Sequence, residues 1–65
     1  MKIILNGEEV ATTAKTLDEF IKSQKIQNQV MAAAVNMEIV KKSDWNSFEL
    51  KNGDKVELLR FVGGG

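Results

Sequence analysis

The chain has 65 residues, in which nine lysines and arginines balance nine aspartates and glutamates, and it contains no histidine, cysteine or proline. A chain of this length forms one small domain, and without histidine or cysteine it has no thiolate nucleophile and no imidazole or thiolate metal ligand. A net charge of zero provides no broad attraction for nucleic acid or anionic lipid, and no stretch is long and apolar enough to cross a bilayer. We therefore expect neither a nucleic acid nor a membrane as a partner, and we expect a cytoplasmic protein.

The first predicted element is a β-hairpin. An apolar run over residues 2–5 is closed by Asn6-Gly7, and a return strand is expected over 8–13. Asn-Gly between two such runs is typical of a two-residue hairpin turn, because both residues tolerate a positive φ. The beginning of the chain therefore predicts two antiparallel strands.

A helix is predicted next, over about 17–25. Thr16 and Glu19 have the spacing of a capping box, in which the threonine hydroxyl accepts from the Glu19 amide and the glutamate side chain reaches back to the cap. Apolar side chains then recur on one face of the helix, which we expect to pack on the sheet. These are Leu17, Phe20 and Ile21.

The middle of the chain is predicted to be mostly extended. Alanine propensity alone would permit a helix over 30–36, but valines flank this segment and it has no cap, so we interpret it as a strand. A second β-prone pair, Ile39-Val40, follows it. Residues 42–46 predict a turn or one 3₁₀ segment in which Trp45 is a packed aromatic, and 48–50 predict a brief extended piece.

The last predicted element is a long strand over 55–62, which follows the turn Asn52-Gly53-Asp54. Its alternation places Val56 and Leu58 on one face and Leu59 on the other. Two strands, a helix and then further strands predict an α+β domain. We expect a mixed sheet of four to five strands with one main helix packed on one face.

Three glycines, Gly63, Gly64 and Gly65, follow this strand. A terminal glycine run is often only a flexible end, but this one follows a strand expected to be central, and backbone without Cβ can enter a narrow channel and present a terminal carboxylate. The chain offers no nucleophile or phosphate-binding loop to activate that carboxylate, so we expect the reaction to occur in another protein's active site. We predict a folded domain over 1–62 and a flexible tail over 63–65.

An apolar surface is predicted on the face of the sheet opposite the helix. Alternation along the first and last strands turns apolar side chains outward there, and small alanines between them would let a partner approach closely. Scattered exposed apolar residues are ordinary, whereas a contiguous cluster beside the tail indicates a docking surface. The residues expected on it are Ile4, Ala32, Ala34, Leu59, Phe61 and Val62.

No catalytic or metal site is predicted within the chain. Glu8 and Glu9 are adjacent, but adjacent strand residues point to opposite faces, so we do not expect a shared acid/base pair. Met1, Met31 and Met37 are spaced as fillers of gaps in a core and do not indicate a metal site.

Several short pieces of the sequence, together with the length of the chain, resemble the small sulfur carriers of the ubiquitin-like β-grasp fold, in particular the ThiS family of thiamin biosynthesis. The resemblance covers the whole chain and depends on the order and spacing of its pieces. These are Leu5-Asn6-Gly7, Ala34-Val35-Asn36 before Ile39-Val40, Ser43-Asp44-Trp45, Asn52-Gly53-Asp54-Lys55-Val56-Glu57 and the terminal glycines.

The resemblance implies a mechanism. A ThiF-like enzyme, similar to ubiquitin-activating enzymes, adenylates the carboxylate of Gly65 with ATP. Sulfur derived from cysteine by a donor enzyme then displaces AMP, and the resulting thiocarboxylate gives its sulfur to a ThiG-like thiazole synthase. Gly64 and Gly65 correspond to the Gly-Gly end of the family, and Gly63 is one glycine more. The chain is then expected to be a protein cosubstrate and not an enzyme, to bind no cofactor itself, and to be a monomer when free.

Other readings stay open at this point. A MoaD-like small subunit of molybdopterin synthase shares the fold and the tail, although such proteins often have a proline just before the end and this chain has none. A ubiquitin-like modifier would form an isopeptide through its tail, and a plain β-grasp interaction module would carry incidental glycines.

Overall fold

A computed structural model describes residues 1–26 and 28–60. Its strands form one mixed sheet in the order β2-β1-β5-β3-β4, in which β1 and β5 are parallel and the other neighbours are antiparallel. The predicted α+β fold is confirmed, with five strands and one main helix in the described part of the chain. The elements are β1 (Lys2–Leu5), β2 (Glu8–Ala11), α1 (Leu17–Ser23), β3 (Val30–Val35), β4 (Glu38–Val40), a 3₁₀ turn (Lys42–Asp44) and β5 (Lys55–Arg60).

Both hairpin turns place two consecutive residues at positive φ. The angles are 47° and 87° at Asn6 and Gly7, and 50° and 72° at Asn36 and Met37. Positive φ at both central positions defines the type I′ turn, whose twist matches that of the flanking strands. The Asn6-Gly7 prediction is confirmed, and the second turn adopts the same geometry with methionine where glycine is usual.

The helix begins at the predicted capping box. The Glu19 N–H donates to Thr16 Oγ1 at 3.2 Å, and the Thr16 N–H donates to Glu19 Oε1 at 3.3 Å. The helix ends at Ser23, slightly earlier than predicted, and Lys25 adopts a φ of 59° that no α-helix can continue. The side chains predicted for its packed face are all fully buried: Leu17, Phe20 and Ile21.

The core lies between this helix and one face of the sheet. The alternation predicted for the last strand is confirmed, since Val56 and Leu58 are buried and Leu59 is 63% exposed. Trp45 is buried as predicted, and its Nε1–H donates to the Val40 carbonyl oxygen at 2.9 Å. Side chains from the helix and the sheet therefore share one cluster with Trp45, which directly follows the 3₁₀ turn.

A β-bulge corrects one interpretation of the sequence. The pairing of β3 with β5 shifts by one residue between Val30 and Ala32, so Val30 returns to the core face and Met31 is left exposed. Met1, Met31 and Met37 are 41%, 65% and 87% exposed. The prediction that the methionines fill core gaps is wrong.

The end of β2 and the segment 48–50 differ from the prediction, and one predicted boundary lies outside the residues that the structure describes. β2 ends at Ala11, before the predicted 13. Within 48–50 the described backbone makes a single isolated bridge, between Thr16 and Glu49. The predicted boundary between 62 and 63 lies outside the described residues.

Candidate functional site

The strand that leads to the predicted reactive tail lies in the centre of the sheet. β5 is hydrogen-bonded to β1 on one side and to β3 on the other, and Arg60 is its last residue. The strand before the tail is therefore paired with β1 at Lys55 and Val56 and with β3 from Val56 to Arg60. Five predicted site residues lie outside the described residues: Phe61, Val62, Gly63, Gly64 and Gly65.

A shallow groove of about 350 Å³ lies on the face of the sheet opposite the helix. It brings together three predicted surface residues, Ala32, Ala34 and Leu59. Ala32 is paired with Leu59, and Ala34 is paired with Glu57. The two alanines are half-buried and small, so they form a low floor beside the exposed leucine.

Ile39 is a further groove residue that was not predicted from the sequence. It is 73% exposed and lies opposite Ala34 in the β3–β4 pair. The two-residue turn at Asn36 and Met37 sets this register, because it forces Val35 to pair with Glu38 and hence Ala34 with Ile39. Recognition of this turn in the sequence would have predicted that Ile39 lies opposite Ala34. We call Ala32, Ala34, Ile39, Glu57 and Leu59 the open-face groove.

Ile4 lies on the same face but outside the open-face groove. It is half-buried and pairs with Lys55, four residues before Leu59 on β5, which is an offset of roughly 13 Å along the strand. Beside it, Lys2 and Glu9 form an exposed ion pair at 3.4 Å. The open face is thus divided into a charged half near the beginning of β5 and an apolar half near its end.

The described chain offers no other site of evident chemistry. No group of three or more His, Cys, Asp or Glu within 1–26 and 28–60 is placed to hold a metal ion. Glu8 and Glu9 are consecutive residues of β2, so their side chains lie on opposite faces of the strand. No helix among these residues is long and apolar enough to span a membrane.

Comparison with known sequences gives consistent matches. The profile of the ThiS family matches residues 3–65. The sulfur carrier protein ThiS of Bacillus subtilis is 32% identical over 63 residues, which cover 94% of this chain and 96% of that protein. A thiazole synthase of Paramagnetospirillum magneticum is 35% identical over 66 residues and covers 100% of this chain, but this chain spans only 20% of the length of that relative.

Solved structures agree with these matches. The crystal structure of the thiamine biosynthesis protein ThiS from Geobacter metallireducens superposes with a TM-score of 0.81 at 26% identity and covers 100% of both chains. A solution structure of a thiamine biosynthesis protein from the same organism gives a TM-score of 0.79 at 26% identity, with 100% of this chain and 88% of that chain covered. These matches do not favour the molybdopterin or modifier alternatives.

Proposed function

This chain belongs to the ThiS family of sulfur carrier proteins in thiamin biosynthesis, and we propose that it carries sulfur as a thiocarboxylate at the C-terminal carboxylate of Gly65. One observation carries this proposal. The family match runs over residues 3–65 and so includes the three terminal glycines as well as the folded domain. The Bacillus subtilis sulfur carrier supports it, because the aligned region covers nearly all of both chains.

Two chemical steps load the sulfur. The carboxylate of Gly65 attacks the α-phosphorus of ATP, which forms an acyl adenylate and releases pyrophosphate. A sulfur nucleophile derived from cysteine, at the oxidation level of hydrosulfide, then attacks the acyl carbon, and the C–O bond to AMP breaks, which leaves a thiocarboxylate and free AMP. The thiocarboxylate is the group that delivers sulfur to the thiazole.

Both steps belong to partner active sites. The sequence contains no histidine or cysteine, so this chain supplies no imidazole base and no thiol of its own. ATP is bound by a ThiF-like adenylating enzyme, and this chain binds no cofactor. Gly63, Gly64 and Gly65 bring backbone without side chains into those sites, where bulkier residues would collide with the walls of a narrow channel.

A thiazole synthase is the proposed sulfur acceptor. In the Paramagnetospirillum magneticum relative, a stretch similar to this whole chain is part of a longer protein named thiazole synthase. Covalent linkage of two sequences is what would be expected if the two must meet during the reaction. We place the exchange in the cytoplasm, with a separate enzyme that mobilises sulfur from cysteine, and propose that the free carrier is a monomer.

The open-face groove is the proposed docking surface for both partners. Its apolar residue Leu59 lies near the end of β5, the strand that leads to the tail, and Ala32 of β3 is paired with it. Glu57 adds one carboxylate beside Ala34, which favours a partner surface that offers apolar groups and a cation. Phe61 and Val62 would extend this surface towards Gly65.

Intact-mass spectrometry tests the proposal directly. The purified carrier is incubated with a ThiF-like enzyme, ATP, a cysteine-derived sulfur source and the sulfur donor enzyme. We expect a mass gain equal to the difference between sulfur and oxygen, and fragmentation is expected to assign it to Gly65. A product with sulfur at any other residue, or a conjugate to another protein without a thiocarboxylate, would contradict the proposal.

A further inference from the structure

Asn6 connects the first hairpin turn to the exit end of β5, which we define as residues 58–60. Its Oδ1 accepts a hydrogen bond from the Leu58 N–H at 2.9 Å, and its Nδ2–H donates to the Leu58 carbonyl oxygen at 3.4 Å. The two residues are 52 positions apart in the chain. We infer that Asn6 is a positioning residue that holds the exit end in the orientation from which the tail reaches a partner enzyme. This inference rests on the proposed function.

The side chain of Asn6 continues the hydrogen-bond ladder between β1 and β5 beyond the point where the backbone of Asn6 turns away from β5. In the parallel β1–β5 pair, the Ile4 N–H donates to the Asp54 carbonyl oxygen and the Asn6 N–H to that of Val56, both at 2.9 Å. In an uninterrupted ladder the Leu58 N–H would next donate to the backbone carbonyl of residue 6. Asn6 instead turns away with a φ of 47°, and its side-chain amide takes the place of the missing ladder group.

The contact matters because the exit end contributes Leu59 to the proposed docking surface and precedes the tail that carries the chemistry. Leu58 is buried and Leu59 beside it is exposed, and both line the groove together with Asn6, so a fixed backbone at Leu58 also fixes Leu59. On the edge of β5 that faces β3, the pairing is already irregular between Val30 and Ala32. Without the Asn6 contacts, the exit end would sample more orientations, and a partner would have to reorder it during binding.

Asn36 offers a matched control at the other end of β5. It occupies the first position of the β3–β4 turn with a φ of 50°. Its Oδ1 accepts from the Lys55 N–H at 3.0 Å, and its Nδ2–H donates to Asp54 Oδ1 at 3.0 Å. Both asparagines occupy the first position of a hairpin turn and hydrogen-bond to β5 or to the residue before it. Asn36 makes these bonds at the beginning of β5, which is the end of the strand farthest from the tail.

The experiment compares Asn6→Gly with Asn36→Gly in ATP–pyrophosphate exchange with a ThiF-like enzyme. Glycine tolerates positive φ, so both turns are retained. For Asn6→Gly we expect the KM for the carrier to rise about tenfold at unchanged kcat, because the cost of reordering arises on binding and not in the chemical step. For Asn36→Gly we expect a KM within about twofold of the wild type, since its end of β5 is remote from the tail. Asn6→Asp keeps an acceptor for the Leu58 N–H and is expected to lie between wild type and Asn6→Gly.

Equal KM values for the two glycine variants would overturn the positioning role, and so would a fall in kcat alone for Asn6→Gly. Backbone amide exchange of the free carrier provides a second test, in which Leu58 is expected to lose protection in Asn6→Gly and Lys55 in Asn36→Gly. Unchanged protection at Leu58 would also overturn the inference. If the wild-type carrier supports no ATP–pyrophosphate exchange at all, the proposed function itself fails, and that result is distinct from equal KM values.

Discussion

The helix-covered face and the open face of the sheet are formed by the same strands but have opposite surroundings. On the covered face, Ile3 and Val56 are fully buried against the helix, where Phe20 is also fully buried. On the open face, Ile39 and Leu59 remain exposed although both are large and apolar. Because side chains alternate along a strand, substitutions on one face can change the free energy of unfolding while those on the other change binding.

The largest effect is expected from Phe20→Ala on the covered face. Truncation of a buried phenylalanine costs about 3–5 kcal/mol, and a domain of this size has a total stability of roughly that order. We therefore expect the variant to be largely unfolded at room temperature by far-UV circular dichroism. A cooperative unfolding transition near that of the wild type would contradict the placement of Phe20 in the core.

A smaller loss is expected from Trp45→Phe. The substitution keeps an aromatic ring but removes the Nε1–H that donates to the Val40 carbonyl oxygen. A buried acceptor left without its donor costs about 1–3 kcal/mol, which urea denaturation followed by circular dichroism will measure. An unchanged urea midpoint would show that this hydrogen bond does not support the covered face.

The helix cap is expected to contribute less again. Thr16→Ala removes the hydroxyl that accepts from Glu19, and loss of such a cap costs about 1 kcal/mol. Thr13→Ala is the control, because Thr13 is exposed and lies outside the capping box. Thermal unfolding is expected to separate the two variants, and equal melting temperatures would contradict the role of the cap.

The smallest effect on stability, and the sharpest test of the difference between faces, is expected from Leu59→Arg. Exposed substitutions usually change stability by less than about 0.5 kcal/mol. Calorimetry with the adenylating enzyme and with the thiazole synthase is expected to show affinities reduced about tenfold or more, since a central apolar contact is lost. Met31→Arg is the control, because Met31 is 65% exposed against 63% for Leu59 but does not line the groove. Unchanged affinities for Leu59→Arg would remove the open-face groove as a docking surface.

Signals that act over a few residues made most of the fold predictable. Asn6-Gly7 determines its turn through the backbone freedom of two residues, and Thr16 with Glu19 determines where the helix begins. The strand interpretation of the alanine-rich segment is confirmed because Val30 and Val35 are both buried, so the requirements of the core outweigh the helix propensity of alanine.

Features that depend on distant segments were not predictable in the same way. The bulge that exposes Met31 arises from the pairing of β3 with β5, two strands that are distant in the sequence. Ile4 and Leu59 share a face as predicted, yet the parallel register separates them along the sheet. The contact from Asn6 to Leu58 likewise joins residues 52 positions apart, which no local pattern reveals.

The central claim is that partner enzymes recognise the folded domain and that the reactive atom lies at the end of the chain. Deletion of Gly64 and Gly65 followed by ATP–pyrophosphate exchange with a ThiF-like enzyme tests it most directly, with thermal unfolding as the control for folding. We expect no exchange above background at any carrier concentration and an unchanged melting temperature, since glycine has no side chain to bury in a core. Exchange at the rate of the full-length carrier would contradict the claim.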